Sequence, residues 1–162
     1  MRAAPFLVTL VFVFALAGSR IASACSYVQM TLFQVFNQSA VVAIATPQKQ
    51  SPSSSKQPLA LTRVIKHTGT APKTLDVHTN AMCDVWFKEG ETVLVFVDDK
   101  DSIVGLGNGL ARKPSATLID AVERWQRART PAQQRALLQL LSKSKDPRVA
   151  QDAQTTLRVF RP

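Results

Sequence analysis

Histidine and cysteine are scarce in this chain. Its 162 residues include two of each: His67 and His78, Cys25 and Cys83. A zinc site takes three or four ligands at fitting spacing, and neither Cys-x-x-Cys nor His-x-x-x-His occurs. The expectation is no resident metal and no cofactor. There is no Gly-x-Ser-x-Gly elbow to hold a nucleophilic serine. Gly105-x-Gly107-x-Gly109 is not followed by Lys-Ser/Thr, and a hairpin precedes it, so it reads as a bend rather than a phosphate loop. Glu89 and Glu91 flank Gly90 in a turn, where carboxylates are ordinarily solvated. No enzymatic constellation emerges, and catalysis is not expected. A second hydrophobic run long enough to cross a bilayer is lacking too, since spanning takes about 20 apolar residues.

The first apolar run has a different character. Arg2 precedes an apolar stretch from Phe6 to Leu16, broken only by Thr9. Gly18 and Ser19 relax it, and Ala22-Ser23-Ala24 gives signal peptidase its small side chains just before Cys25. Residues 1–24 therefore read as a cleaved export signal, placing the working protein outside the cytoplasm, secreted or periplasmic. Taking 24 residues from 162 leaves 138, one ordinary domain or a small domain with an appendage. In an oxidising compartment the even cysteine count suggests one disulfide. It would close a loop of 58 residues and add roughly 4 kcal/mol in the loop-entropy model.

Charge is divided unevenly. Residues 25–110 carry seven Lys/Arg against seven acids, whereas residues 111–162 carry eleven against four. A basic segment can meet nucleic acid, anionic lipid or acidic glycan. Export argues against nucleic acid. What is left is contact with an anionic surface, or a solvated helix face that happens to be rich in arginine.

The hydrophobic pattern changes period along the chain. Ala40–Ala45 is a β-branched run that reads as a buried strand, followed by a polar, serine-rich loop over Gln48–Pro58. Leu59–Ile65, Thr74–Thr79, Glu91–Val97 and Ser102–Leu106 read as further strands, at a spacing that argues for a small barrel or sandwich. After Gly109 the period becomes helical. Thr117, with Asp120 three residues on, opens a helix whose face is Leu118, Ile119, Val122 and Trp125. Thr130-Pro131, with Gln133, opens a second, carrying Leu137, Leu138, Leu140 and Leu141. Asp146-Pro147 opens a third, with Val149, Ala153, Leu157 and Phe160 inward.

A cysteine directly after an export cut has two special fates. A lipid thioether would make a membrane-anchored envelope protein, but that signal prefers Leu where Ala22 stands. A disulfide to Cys83 would leave the α-amino group free. The two compete for one thiol, and lipidation would leave Cys83 unpaired.

Three features stand in one order: the mature N-terminal Cys25, the strand AVVAIATP, and the block VIKHTGTAPKTLDVHTNAMCDVWFKEGETVLVFV. Together they resemble the TIMP-like (netrin-like, NTR) modules, the tissue inhibitors of metalloproteinases and the bacterial proteins similar to them. Lys66 and Gly69 approximate the family's Lys-Gly turn. Cys83 matches the Cys of its Cys-Gly pair, with Asp84 in place of Gly, and Phe87, Gly90 and Glu91 match its Phe-x-x-Gly-Glu. The likeness covers about residues 25–108. Tyr27 stands where a second N-terminal Cys belongs, and that cysteine's usual partner near Leu110 is missing too, so one disulfide is lost as a pair.

The resemblance implies a mainly β protein: a TIMP-like OB-fold domain over 25–110, built as a five-stranded OB-like barrel, followed by a C-terminal α-helical segment, a basic helical tail over 111–162. It implies a Cys25–Cys83 bridge pinning the N-terminus to the barrel. It also implies a non-enzymatic role as metalloprotease inhibitor, with the amine and carbonyl of Cys25 chelating the target's zinc and Ser26 entering its specificity pocket. The alternative is a lipid-anchored cell-envelope protein with a basic helical tail. Protein recovered from its native host is expected to have the intact mass of residues 25–162 and to gain a pair of hydrogens on reduction. A mass raised by a diacylglyceryl or acyl group would establish the lipid-anchored alternative instead.

Overall fold

The computed structural model describes residues 30–79, 87–105 and 109–160. Residues 1–24, read above as an export signal, and Cys25, Ser26 and Cys83 lie outside the described residues. The first described element is a helix, α1 (Leu32–Gln38), which the sequence reading did not assign. Its signal was nonetheless present. Thr31 and Gln34 form a capping box: the Thr31 N–H donates to Gln34 Oε1 at 2.9 Å and the Gln34 N–H to Thr31 Oγ1 at 3.4 Å. Leu32, Phe33, Val35 and Phe36 supply an apolar face, and all four are buried.

Five antiparallel strands follow: β1 (Val41–Pro47), β2 (Lys56–Lys66), β3 (Thr74–His78), β4 (Val93–Val97) and β5 (Leu110–Arg112). Their order across the sheet is β3-β2-β1-β4-β5. The first four form a Greek key, with β4 returning to lie beside β1. Strand β2 begins inside the stretch expected to be a loop, because Gln57 is buried there and its amide donates to the Gln48 carbonyl. The sheet is open: among the described residues β3 and β5 do not pair.

The fifth strand is not the one expected. Of the expected strand Ser102–Leu106, the described residues 102–105 give a single bridge, Ile103 to Val97, and the regular partner of β4 is Leu110–Arg112. The cause is local. The Asp98 carboxylate accepts from the N–H groups of Lys100 and Ser102, and Asp101 takes a left-handed φ of 59°. The returning chain then leaves β4 almost at once. Phe96 accepts from the Val104 N–H but donates to the Gly109 carbonyl, while the Gly109 N–H donates to Gly105. Gly109 is obligatory at this junction, since a Cβ there would lie 1.8 Å from the Val104 carbonyl oxygen.

Both sheet faces are apolar, as the two-residue period of a strand dictates. Val42, Ile65, Leu94, Phe96 and Ala111 belong to one core, which includes α1 and the C-terminal helices. Val41, Ala43, Ala45, Leu59, Val77, Val93, Val95 and Val97 make a second core on the opposite face. Val77 on β3 belongs to the same core as the β4 valines, and the His78 N–H at the end of β3 donates to the Asp101 carbonyl after β4 at 2.8 Å, so the sheet is curled. Two register shifts in the β1–β2 ladder, at Val42/Ala43 and Ile44/Ala45, supply that curl.

Three helices complete the first core: α2 (Ala116–Arg127), α3 (Pro131–Leu141) and α4 (Pro147–Val159). The N-cap of α2 is Ser115 rather than Thr117, with Ser115 Oγ accepting from the Leu118 N–H at 3.0 Å. Asp120, expected to support that cap, pairs instead with Arg124 at 2.9 Å. The Thr130 and Asp146 caps stand as the sequence indicated, each with proline inside the first turn. Burial first raises the Asp146 carboxyl. Bonds from the Ser115 hydroxyl and from the Val149 and Arg148 N–H groups outweigh it, holding the pKa below the ordinary value. Leu118, Val122, Trp125, Leu138, Leu141, Val149 and Ala153 share one core with α1 and the sheet. None of the described helices is long and apolar enough to cross a membrane.

Phe33 is 1 % exposed and its ring centroid lies 4.7 Å from that of Trp125. Phe33→Ala is expected to cost about 3–5 kcal/mol in urea unfolding. The sheet and α2–α4 are expected to unfold in one transition, read together by far-ultraviolet dichroism and Trp125 fluorescence.

Candidate functional site

The three residues singled out from sequence as the N-terminal device lie outside the described residues, so the structure brings none of them together. What it describes is the body they adjoin. The chain enters that body at Met30, five residues after Cys25, and passes directly into the α1 cap. In sequence, Cys83 falls between Thr79 and Phe87, the described residues that flank it. Thr79 is held by its N–H and its hydroxyl on the Ser55 carbonyl, at 2.9 and 3.1 Å, and Phe87 packs against the second core.

The entry point borders a cleft of about 420 Å³, lined by Met30 and Thr31 and by Pro147, Arg148, Gln151, Asp152 and Thr155 of α4. Its chemistry is dominated by Asp152. One carboxylate oxygen accepts from the Leu32 N–H at 2.8 Å and so takes up an orphan donor in the first turn of α1. Burial pushes the Asp152 carboxyl above the usual carboxylate range, and the Leu32 N–H and the Arg148 charge only partly oppose that. The Thr156 hydroxyl, one turn further on, lies 2.9 Å from the Thr31 hydroxyl. The cleft is therefore the seam at which the entering chain is latched to the last helix.

The other end of α1 is fastened as closely. Lys66, at the end of β2, donates through Nζ to the carbonyls of Phe36 at 2.8 Å and Asn37 at 3.3 Å, and stands 4.9 Å from the centre of the Phe36 ring. A cation here meets the unsatisfied carbonyl end of the helix. Burial lowers the Lys66 pKa from its ordinary value. Trp125 Nε1 donates to Asn37 Oδ1 at 3.0 Å. The sequence reading noted Lys66 only as a turn residue and passed over Asp152. The available signal for Asp152 was a carboxylate adjoining the buried stripe of an amphipathic helix, a position that calls for a partner.

The remaining candidates are dispersed. The His67 ring faces the Gly69 carbonyl at 3.4 Å, and His78 is an exposed end residue of β3. Glu91 accepts from Arg112 and from the Lys88 N–H, whereas Glu89 is exposed. No group of three or more His, Cys, Asp or Glu among the described residues could hold a metal ion. No family model matches the chain, and no curated protein matches its sequence.

Asp152 generates a pH prediction. Because its folded pKa is raised, the folded protein binds this proton more tightly than the unfolded chain does. That contribution to stability is present at low pH and is lost as pH rises through the raised pKa. Asp152→Asn keeps an acceptor for Leu32 and is expected to remove the slope, matching or exceeding the native protein at neutral pH. Asp152→Ala leaves the donor unmet and is expected to cost about 1 kcal/mol. Urea midpoints of the three proteins between about pH 4 and pH 8 would show both effects.

Proposed function

We propose that the mature protein is an exported, non-enzymatic binding module of the TIMP-like, netrin-like type, and that it acts by presenting the Cys25 terminus to a zinc metalloprotease. The observation that carries this reading is the strand order. A five-stranded OB-like barrel is a partly open Greek key, and closing a sheet of order β3-β2-β1-β4-β5 would pair its edges, β3 and β5. The curl already runs in that sense. The His78 N–H at the end of β3 donates to the Asp101 carbonyl after β4 at 2.8 Å, and Lys56 pairs with Asp101 at 2.9 Å.

The position of Met30 agrees with the reading. Once residues 1–24 are removed, five residues separate the terminus from the body, a reach of at most about 17 Å. An unprotonated amine and the first carbonyl can together occupy the position that a catalytic zinc keeps open for water. Ser26 then points onward into the protease, and a Cys25–Cys83 bridge holds the amine in place.

The test uses protein recovered from its host with a verified Cys25 terminus, assayed against a panel of zinc metalloproteases. Inhibition of at least one is expected. Acetylating the amine, or adding one residue ahead of Cys25, is expected to weaken it by about a hundredfold, the equivalent of about 2.8 kcal/mol. Inhibition that survives either block, or none at all from the free terminus, removes the reading.

A further inference from the structure

We propose that the entering segment seats Tyr27 in the cleft between Met30 and α4, where the ring anchors the chain ahead of the folded body. Tyr27 precedes the described residues, and the case for it begins with how they start. Met30, Thr31 and Leu32 are clamped along α4. The Leu32 N–H donates to Asp152 at 2.8 Å, and the Thr156 hydroxyl donates to the Thr31 hydroxyl at 2.9 Å. Met30 packs half-buried against the first core, and its sulfur lies against the Gly105 bend, where a Cβ would stand 3.3 Å from it. The chain ahead of Met30 therefore sets out from a fixed point on the rim of the cleft.

Reach and chemistry select the occupant. Tyr27 stands three residues before Met30, so it lies within about 11 Å of it even along an extended chain. The cleft, of about 420 Å³, has two natures: Met30 and Pro147 are apolar, Arg148 is cationic, and Gln151, Asp152 and Thr155 are polar. Of residues 25–29, Tyr27 alone joins an aromatic body to a polar tip. A ring is attracted to a thioether and to a guanidinium, which Met30 and Arg148 supply. A phenol leaving water needs a hydrogen-bond partner, and the polar side of the cleft offers three side chains for it. The seating does not rest on the protease reading. It adds a noncovalent anchor to it: with residues 1–24 removed, only Cys25 and Ser26 extend beyond the held residue.

Protein recovered from its host, grown on ring-labelled tyrosine, gives a single residue to follow, since Tyr27 is the only tyrosine. Nuclear Overhauser transfer from its ring protons to the methyl groups of Met30 and Thr155 is expected. Chymotrypsin is expected to cut after Tyr27 at least about tenfold more slowly than in Thr155→Trp, which fills the cleft with an indole. Thr155 is exposed, so this variant is expected to melt with the native protein. The protection is expected to survive reduction, because no disulfide supplies it. Ring contacts elsewhere, or none, would overturn the proposal. Equal cleavage of the two proteins, protection lost on reduction, or a host molecule bound in the cleft would overturn it as well. No metalloprotease enters these measurements, so their failure and the failure of the inhibitory reading are separate results.

Discussion

A helix of seven residues has too few internal hydrogen bonds to persist alone in water, yet α1 stands at the centre of this molecule. It endures because every neighbouring element completes it. Strand β2 sends Lys66 to its carbonyl end, α4 sends Asp152 to its amide end, and α2 anchors Asn37 through Trp125. Its apolar face fills the space between the sheet and the helical layer. The arrangement is reciprocal, since without α1 the three C-terminal helices would lose Phe33 and Phe36 from the core they share with the sheet.

The sheet imposes the second constraint. Strand β4 is buried along its whole length and cannot leave either face to water. Helices meet the need on one side. On the other the sheet covers itself by curling, which brings β3 round toward the turn after β4. Polar side chains then settle at the rim, where Lys56 and Asp101 are both part-exposed.

Much of this was legible in the sequence, for reasons that differ by element. Strands β1 and β4 announce themselves as β-branched runs because both faces are buried. The starts of α3 and α4 are legible because Thr130-Pro131 and Asp146-Pro147 combine a cap acceptor with a residue that needs no donor. Helix α1 was missed because one turn of apolar spacing is shorter than the window in which periodicity persuades, although its capping box was written out in Thr31 and Gln34. The fifth strand was misplaced because the hairpin rule assumes an uninterrupted return, and the contact at Gly109 is a tertiary fact. The fastening of α1 was illegible for a simpler reason. Asp152 lies 120 residues from the amide it serves, and no local pattern reports so distant a pairing.

That separation has a consequence for how the molecule comes into being. A chain delivered N-terminus first presents Leu32 long before Asp152 exists to receive its N–H. Until α4 arrives, α1 lacks one cap and much of its cover, and the apolar face of the sheet beneath it lies open. The latch thus closes only once the last helix is present. A contact between residues 120 positions apart must draw in the whole intervening chain before it stabilises anything, and pairings of that kind are the ones that slow folding.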